Sequence, residues 1–359
     1  MRHEPHRGGR CSSGVERGAP AGWGECAFGG PPRALVGVLA LAVALATAFG
    51  VPAPISAQDD APEPEGALFL LLPIGAQGTG VARAMTALSG PESVWWNPAG
   101  VVPVEENSLF LFRSEDFSGE ATALSVLGSR PGLGTAALSY LLFDFGDVEL
   151  RDDQGNFQGT VSFRNHLGIL TAGTSLLEGL DVGANLKVIQ TRVACRGQCT
   201  DAGVTSTTYA FDFGGRWQPL PSLVLAGTLA HLGPRLKVFN EEQADPLPAR
   251  VRFAAAYEVF HHFVSRPDVS AQVVVEIEDR LRDPGSPATY LGTEVVAGID
   301  PGLSLRAGYA FGSELQVDGV GVGVGLRFEN FDVGIAKSLS STSLGDDTEP
   351  VQISFGFLF

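Results

Sequence analysis

Positive charge is scarce in this sequence. Its 359 residues include 24 Lys and Arg against 40 Asp and Glu, so the formal net charge at pH 7 is −16. Binding of nucleic acid depends on Lys and Arg side chains that neutralise phosphates. A nucleic-acid partner is therefore not expected.

Long apolar runs are also scarce, and residues 34–51 are the one run of helix length. Five arginines precede this run, and a small-residue stretch ending at Ala57 follows it. The order predicts that residues 1–57 are a cleaved signal peptide with a long n-region, which a misassigned start codon would explain. A single transmembrane helix is the alternative, because 18 apolar residues are near the lower limit for crossing a bilayer.

Cysteine is rare as well, and only Cys195 and Cys199 follow the predicted signal peptide. Two cysteines this close in an exported protein predict a small disulfide loop. A metal site is the alternative, but further His or Cys ligands are missing nearby in the sequence. We expect neither a metal nor a cofactor.

Glycine is abundant, with 46 residues, and it often alternates with apolar residues. In the stretch GVGVGVGLRF, one face carries Gly319, Gly321, Gly323 and Gly325, and the other carries valine and leucine. This period of two predicts a β-strand. Glycine weakens a strand, so a row of glycines on one face indicates that space is needed there.

Most of residues 105–359 alternate in the same way, in about fifteen stretches separated by turns. The stretches are about nine to twelve residues long, which is the length that crosses a bilayer at a tilt. An even strand number is expected for a bacterial barrel, and 155–162 is the weakest stretch. The fold class predicted is therefore all-β, a transmembrane antiparallel β-barrel of about 14 strands.

The chain ends on three alternating aromatic residues, Phe355, Phe357 and Phe359. A terminal aromatic after alternating apolar residues resembles the signal by which the barrel-assembly machinery recognises outer-membrane proteins. We expect a protein in contact with the lipid of the outer membrane of a Gram-negative-type bacterium.

Residues 58–104 do not alternate. They begin with an acidic leader, continue through the stretch GTGVAR and reach a turn motif made of Trp95, Trp96, Asn97, Pro98, Ala99 and Gly100. The stretch GTGVAR has Arg83 where a dinucleotide-binding motif has its third glycine, and no βαβ unit follows it. A dinucleotide site is therefore rejected.

The stretch GTGVARAMTALSGPESVWWNPAGV resembles the N-terminal signature of the PorV/PorQ family of outer-membrane proteins, which belong with FadL-like barrels. The matching residues are Gly80–Gly90, Glu92, Trp96 and the Asn97 to Gly100 turn. Weaker echoes lie at 155–159, 184–188, 211–214 and 305–309. The stretch Met85-Thr86-Ala87-Leu88 departs from the family pattern, which leaves the backbone of this region open.

The resemblance implies that residues 58–104 fold into the lumen of the barrel as a hatch. The glycine wall of Gly319, Gly321, Gly323 and Gly325 would then be the place where the hatch packs, with the valines facing lipid. Trp95 and Trp96 would either anchor the hatch at the periplasmic interface or line a path for a hydrophobic ligand.

No active site is predicted. Glu276 and Glu278 share one strand face, but charges inside a barrel normally pair with each other or with water. His261 and His262 are expected at a solvated loop.

Two functions follow from the resemblance. The main one is PorV-like: the barrel binds or shuttles secreted proteins, or scaffolds a type IX-like secretion machine. The alternative is FadL-like transport of hydrophobic small molecules, and a purely structural barrel is a third possibility.

Overall fold

The computed structural model of the chain describes residues 64–116, 119–198, 203–237, 244–260, 268–312, 319–340 and 351–359. The predicted signal peptide, the start of the acidic leader, Cys199 and the pair His261-His262 lie outside the described residues.

Fourteen long strands close into a single antiparallel barrel. Their bounds are β1 (Ser108–Asp116), β2 (Gly119–Arg130), β3 (Gly134–Arg151), β4 (Phe157–Leu177), β5 (Leu180–Gly197), β6 (Gly203–Leu220), β7 (Leu223–Leu232), β10 (Arg250–Glu258), β11 (Val269–Arg280), β12 (Ala288–Ala297), β13 (Gly302–Phe311), β14 (Gly319–Phe328), β15 (Phe331–Ser340) and β16 (Val351–Leu358). Each strand pairs with its neighbour along the barrel sequence, and β16 closes the ring against β1. Two short strands, β8 (Leu236–Lys237) and β9 (Ala244–Asp245), pair between β7 and β10. The prediction of a closed fourteen-stranded barrel is confirmed.

The prediction of a separate strand at 155–162 is wrong. Strand β4 runs from Phe157 to Leu177 and joins this stretch to the next predicted one. The polar run Arg164-Asn165-His166 interrupts the apolar alternation in the sequence, but the backbone ladder to β3 and β5 continues through it. Alternation reports which side chains are buried, whereas the ladder depends on backbone groups.

Strands β3 to β6 have 18 to 21 residues, more than the nine to twelve expected. Each extra half lies toward the same end of the barrel. We call this end the loop end, and the opposite end, where β1 begins and β16 ends, the terminal end. Connections at the terminal end are mostly two to four residues long, such as 178–179 and 329–330.

The two faces of the strands differ as the alternation in the sequence requires. In β14 the outward Val322, Val324 and Leu326 are 37% to 49% exposed, and the four glycines between them are buried. The same division holds in the paired strand β15, where Ile335 is exposed and Ala336 is buried. The outer surface therefore carries a broad apolar belt.

Residues 64–104, which we call the N-terminal segment, precede β1 and contain one five-residue helix, α1 (Ala76–Gly80). Three short 3-10 helices complete the segment: Leu68–Leu71, Pro91–Trp95 and Pro98–Val101. None of the helices in the described part of the chain is long and apolar enough to cross a membrane.

Candidate functional site in the lumen

The N-terminal segment lies inside the barrel. Helix α1 packs against β13 to β16, whereas the 3-10 helix Pro98–Val101 packs against β4 to β6, about half way round the ring. A continuous segment can reach opposite sides of a closed barrel only from within. Val81, Met85 and Val94 are completely buried there. The segment therefore fills the middle of the lumen.

The glycine row of β14 lies against this segment. A Cβ added at Gly321 would clash with the carbonyl oxygen of Thr79 and lie 2.8 Å from the amide nitrogen of Ala82. A Cβ added at Gly323 would lie 3.1 Å from the Cα of Gly80. Close approach of two backbones needs the absence of side chains, which only glycine provides.

Gly319 and Gly325 are the two ends of the row. Both are buried, but a Cβ at Gly325 would meet the guanidinium of Arg306 at 3.0 Å rather than the backbone of the segment. The close backbone contact is therefore made by the two central glycines.

A second glycine row, which the sequence reasoning missed, lies on the opposite wall. Gly173, Gly183 and Gly214 face one another across β4, β5 and β6. Side chains at these positions would collide with Val102, with the backbone of Pro98 and with the amide of Asn97, respectively. Each glycine is isolated in its own strand, so the row becomes visible only once the strand register is known.

Asn97 ties the turn motif together and is completely buried. Its Oδ1 accepts the amide N–H of Ala99 at 3.0 Å, and its Nδ2 donates to the carbonyl oxygen of Thr86 at 2.7 Å. The first contact caps the 3-10 helix Pro98–Val101, which is a preferred role of asparagine. The second joins two distant parts of the segment.

Trp96 is buried in the interior of the N-terminal segment. Its indole Nε1 donates to the carbonyl oxygen of Ile74 at 2.9 Å, and its ring occupies the space beside Gly78. The guanidinium groups of Arg83 and Arg252 lie 5.8 Å and 5.3 Å from the ring, which is cation–π distance. Trp96 therefore joins the segment to the barrel wall within the lumen.

Trp95 lies at the junction of the two buried apolar clusters of the lumen and is packed against both. Its indole Nε1 is buried. The two neighbouring tryptophans thus have different surroundings, although the sequence alone treats them as a pair.

One arc of the inner wall, from β10 to β13, is charged. Arg252 pairs with Glu276 at 3.5 Å and also with Glu278. The completely buried Glu276 accepts both the amide N–H and the hydroxyl of Thr86, each at 2.8 Å. The two glutamates singled out in the sequence therefore neutralise an arginine and hold the N-terminal segment, and no nucleophile accompanies them.

A second pair continues this arc toward the terminal end. Arg306 contacts Glu294 at 2.6 Å, and Glu294 also accepts from the side-chain amide of Gln77 at 3.1 Å. Each buried charge on this arc thus has an opposite charge or a hydrogen-bond donor, as burial of charge requires.

Glu92 fixes the start of helix α1 from within the segment. Its carboxylate accepts the amide N–H groups of Gln77 and Gly78, each at 3.1 Å. Burial raises the pKa of Glu92 to about 7, although Arg306 acts in the opposite direction. The charge of this carboxyl group therefore changes near neutral pH.

A third polar cluster lies where β5, β6 and β7 meet. The buried Lys187 ammonium contacts Asp212 at 2.6 Å and the Nδ1 of His231 at 3.1 Å. His231 has a φ of 59° at an irregularity in the β6–β7 pairing, so its side chain turns inward beside the inward Ala230. Asn185 connects Asp212 to the carbonyl oxygen of Val94 in the segment.

The arc from β1 to β5 is apolar on its inner face. Large inward side chains form one buried cluster here: Phe110, Phe112, Leu127, Leu141, Phe143, Leu167, Ile169 and Ile189. The sequence reasoning assigned small or polar residues to every inner face and missed this arc. Its signal was present in SLFLF and YLLFDF, where both faces of the strand are apolar.

A cavity of about 420 Å³ opens between the N-terminal segment and the terminal end of the barrel. Its wall includes Glu92, Glu294, Arg306, Arg327 and Asp332. This compartment is charged, in contrast to the apolar arc, so the lumen presents two chemically different surfaces.

The remaining predicted site residues lie away from the lumen contacts. Cys195 is disulfide-bonded near the loop end of β5. Phe355 and Phe357 stack beside Phe331 on the outer face of β16, and Phe359 follows them. Within the described ranges, no group of three or more His, Cys, Asp or Glu side chains could hold a metal ion.

Comparison of the sequence with family models and with curated proteins finds no match.

Comparison of the structure with solved structures finds barrels of the same fold. The monoaromatic hydrocarbon channel CymD aligns with a TM-score of 0.52 and 13% identity, over 80% of this chain and 97% of that one. The toluene transporter TbuX of Ralstonia pickettii aligns with a TM-score of 0.51 and 12% identity, over 78% and 98%. A mutant of the monoaromatic hydrocarbon channel TodX gives 0.50 and 11%, over 78% and 98%. At these identities the likeness is one of fold.

Proposed function

We propose that the protein is a non-enzymatic outer-membrane β-barrel that carries hydrophobic small molecules through its lumen, in the manner of FadL-like transporters. The observation that carries this proposal is the apolar inner wall of β1 to β5, where bulky residues such as Phe112, Leu141 and Ile169 face the lumen.

An apolar inner wall suits a hydrophobic solute and not a polar one. The interior of a water-filled porin is polar. Burial of apolar surface is favourable by about 25 cal/mol per Å², so a hydrophobic molecule gains free energy on this wall and a sugar or ion does not.

The outer surface supports placement in a membrane. Its apolar belt includes side chains as large as Phe253 and Leu170, which are 61% and 55% exposed in the isolated chain. Closed barrels satisfy every backbone group without water, as crossing lipid requires. The short connections of the terminal end favour a periplasmic position for that end.

We assign the N-terminal segment the role of a hatch. It fills the lumen between the glycine rows and is held by Glu276 through Thr86. A solute that passes through the barrel must displace or bypass it.

The solved structures of the same fold support a transport function. CymD is described as a monoaromatic hydrocarbon channel and TbuX as a toluene transporter. The fold alone does not carry a substrate from one protein to another, so the proposal rests on the apolar wall first.

Binding or shuttling of secreted proteins is the second candidate. The observation that favours it is the resemblance of the segment around Trp96 and Asn97 to the PorV/PorQ signature. The structure gives both residues an internal packing role, and such a role is compatible with either function.

Gentle purification from the native outer membrane, followed by mass spectrometry of everything retained, separates the two candidates. A defined hydrophobic small molecule without a stoichiometric protein partner is the result expected. Secreted proteins that share a C-terminal domain, retained without any lipophilic molecule, would overturn the transport proposal.

A further inference from the structure

The apolar arc of the lumen is covered by the protein's own chain. Residues 67–74, with the sequence ALFLLLPI, belong to the same buried cluster as Phe110 and Ile169. Phe69, Leu71 and Ile74 are at most 8% exposed. Aliphatic and aromatic side chains of the chain thus occupy the surface that a hydrophobic ligand would use.

Few polar contacts fix this stretch. At the loop end, Arg250 holds Glu65 through two hydrogen bonds of 2.7 Å and 2.6 Å, and Gly66 donates its amide N–H to the carbonyl oxygen of Pro246 at 2.9 Å. Between these contacts and helix α1, the described backbone forms only one short 3-10 helix, Leu68–Leu71, and joins no sheet.

The stretch enters the lumen in a strained conformation. Ala67, which precedes the 3-10 helix, has a φ of 52° in the left-handed region that residues with a Cβ rarely adopt. Release of the stretch would allow this residue to relax.

The remainder of the N-terminal segment is attached quite differently. Thr86 is bound by Glu276, Asn97 links Ala99 to Thr86, and Glu92 holds Gln77. Residues 76–101 are therefore fixed by buried hydrogen bonds, whereas residues 67–74 rely mainly on apolar packing that a hydrophobic ligand can replace.

Arg250 keeps a partner if Glu65 leaves. Its Nε lies 3.6 Å from the carboxylate of Glu278, which also pairs with Arg252. Opening this contact would not strand a buried guanidinium, so the contact can open and close again.

We propose that residues 67–74 are an intramolecular occupant of the hydrophobic ligand site, and that the Glu65–Arg250 ion pair is the latch that keeps them there. This inference rests on the proposed transport function and deepens it. A hydrophobic molecule arriving from the loop end competes with Phe69, Leu71 and Ile74 for the apolar arc.

The test measures initial uptake of radiolabelled toluene and oleate by cells that make the full chain in an intact outer membrane and lack a transporter of their own. Glu65→Gln weakens the latch, raises the ligand-competent fraction and increases uptake of at least one probe several-fold. Glu120→Gln is the matched control, because it breaks an exposed ion pair with Arg113 at the same end of the barrel and leaves uptake unchanged.

A reversible lock provides the converse. A Cβ at Gly66 would lie 2.8 Å from the Cβ of Asp245, within a shift of about 1 Å of disulfide geometry. The double variant Gly66→Cys/Asp245→Cys should take up less than about one tenth as much probe when oxidised as when reduced, and the single variant Gly66→Cys should show no such difference.

The outcomes separate the two claims. Wild-type uptake that neither Glu65→Gln nor the oxidised lock alters would overturn the latch and leave the transport proposal standing. Absence of uptake by the wild type, by Glu65→Gln and by the reduced lock, with all three barrels folded by heat-modifiability, would overturn both.

Discussion

At Gly321 the backbone of the barrel wall touches the backbone of the N-terminal segment. Glycine inside a strand costs about 0.5 to 1 kcal/mol relative to alanine, and β14 carries four of them on one face. The close approach of Thr79 and Ala82 explains why a larger residue does not fit at this position. The space left by glycine is filled by the segment, so the wall and the segment have complementary shapes.

Gly321→Leu is expected to displace the N-terminal segment while the barrel itself folds. Overpacking of a filled interior costs about 1 to 3 kcal/mol, and β14 can keep its ladder to β13 and β15. Two of the three tryptophans after residue 57, Trp95 and Trp96, lie in this segment. Their emission should shift to the red as they become exposed, with heat-modifiability unchanged.

Val322→Leu is the control for this substitution, because it adds a similar side chain to the adjacent outward position, which is 37% exposed. It should leave the emission as in the wild type. Identical emission and identical unfolding midpoints for Gly321→Leu and the wild type would contradict the packing described here.

Among the elements, two arcs of the lumen differ in chemistry. Strands β10 to β13 carry paired charges that bind the N-terminal segment, and strands β1 to β5 carry apolar residues that face residues 67–74. A uniform inner wall could not both fix a hatch and offer a hydrophobic surface. The division of labour between arcs therefore connects the fold to the proposed function.

Glu276→Ala is expected to loosen the hold of the charged arc on the segment. It removes both acceptors of Thr86 and one partner of the buried Arg252. Breaking a buried ion pair from one side costs about 3 kcal/mol. The free energy of unfolding, followed by tryptophan emission during urea titration, should fall by about that amount.

Glu120→Ala breaks the exposed pair with Arg113, whose two side chains are about half exposed, and should cost less than about 1 kcal/mol. Equal losses of stability for Glu276→Ala and Glu120→Ala would contradict the role given to the charged arc.

The elements also differ in how far the sequence predicts them. Alternation identified the outward face of each strand, because the belt is apolar along its whole length. It failed inside the β1 to β5 arc, since Phe110 and Phe112 alternate with Leu109 and Leu111 and both faces are apolar. The partners of Glu276 could not be predicted either, because Thr86 lies 190 residues away in the chain.

For the whole molecule, the closed barrel, the internal segment and the apolar arc together describe a passage that is filled at rest. The fold class and the strand number followed from strand length and alternation. The substrate class followed only from the position of inward side chains, which depends on register. The structure accordingly moves the favoured function from protein secretion to transport of hydrophobic small molecules.

The most direct test of this account is the rate at which cells with an intact outer membrane take up labelled toluene and oleate when they make the protein. The wild-type barrel should raise the uptake of at least one of them above that of cells without it. Ile169→Asp, which places a charge on the apolar arc, should reduce that gain at least tenfold. Ser304→Asp, which adds a charge beside the already charged cavity, should not. If neither molecule enters faster with the wild-type barrel than without it, or if Ile169→Asp and Ser304→Asp behave alike, the lumen is not a hydrophobic passage.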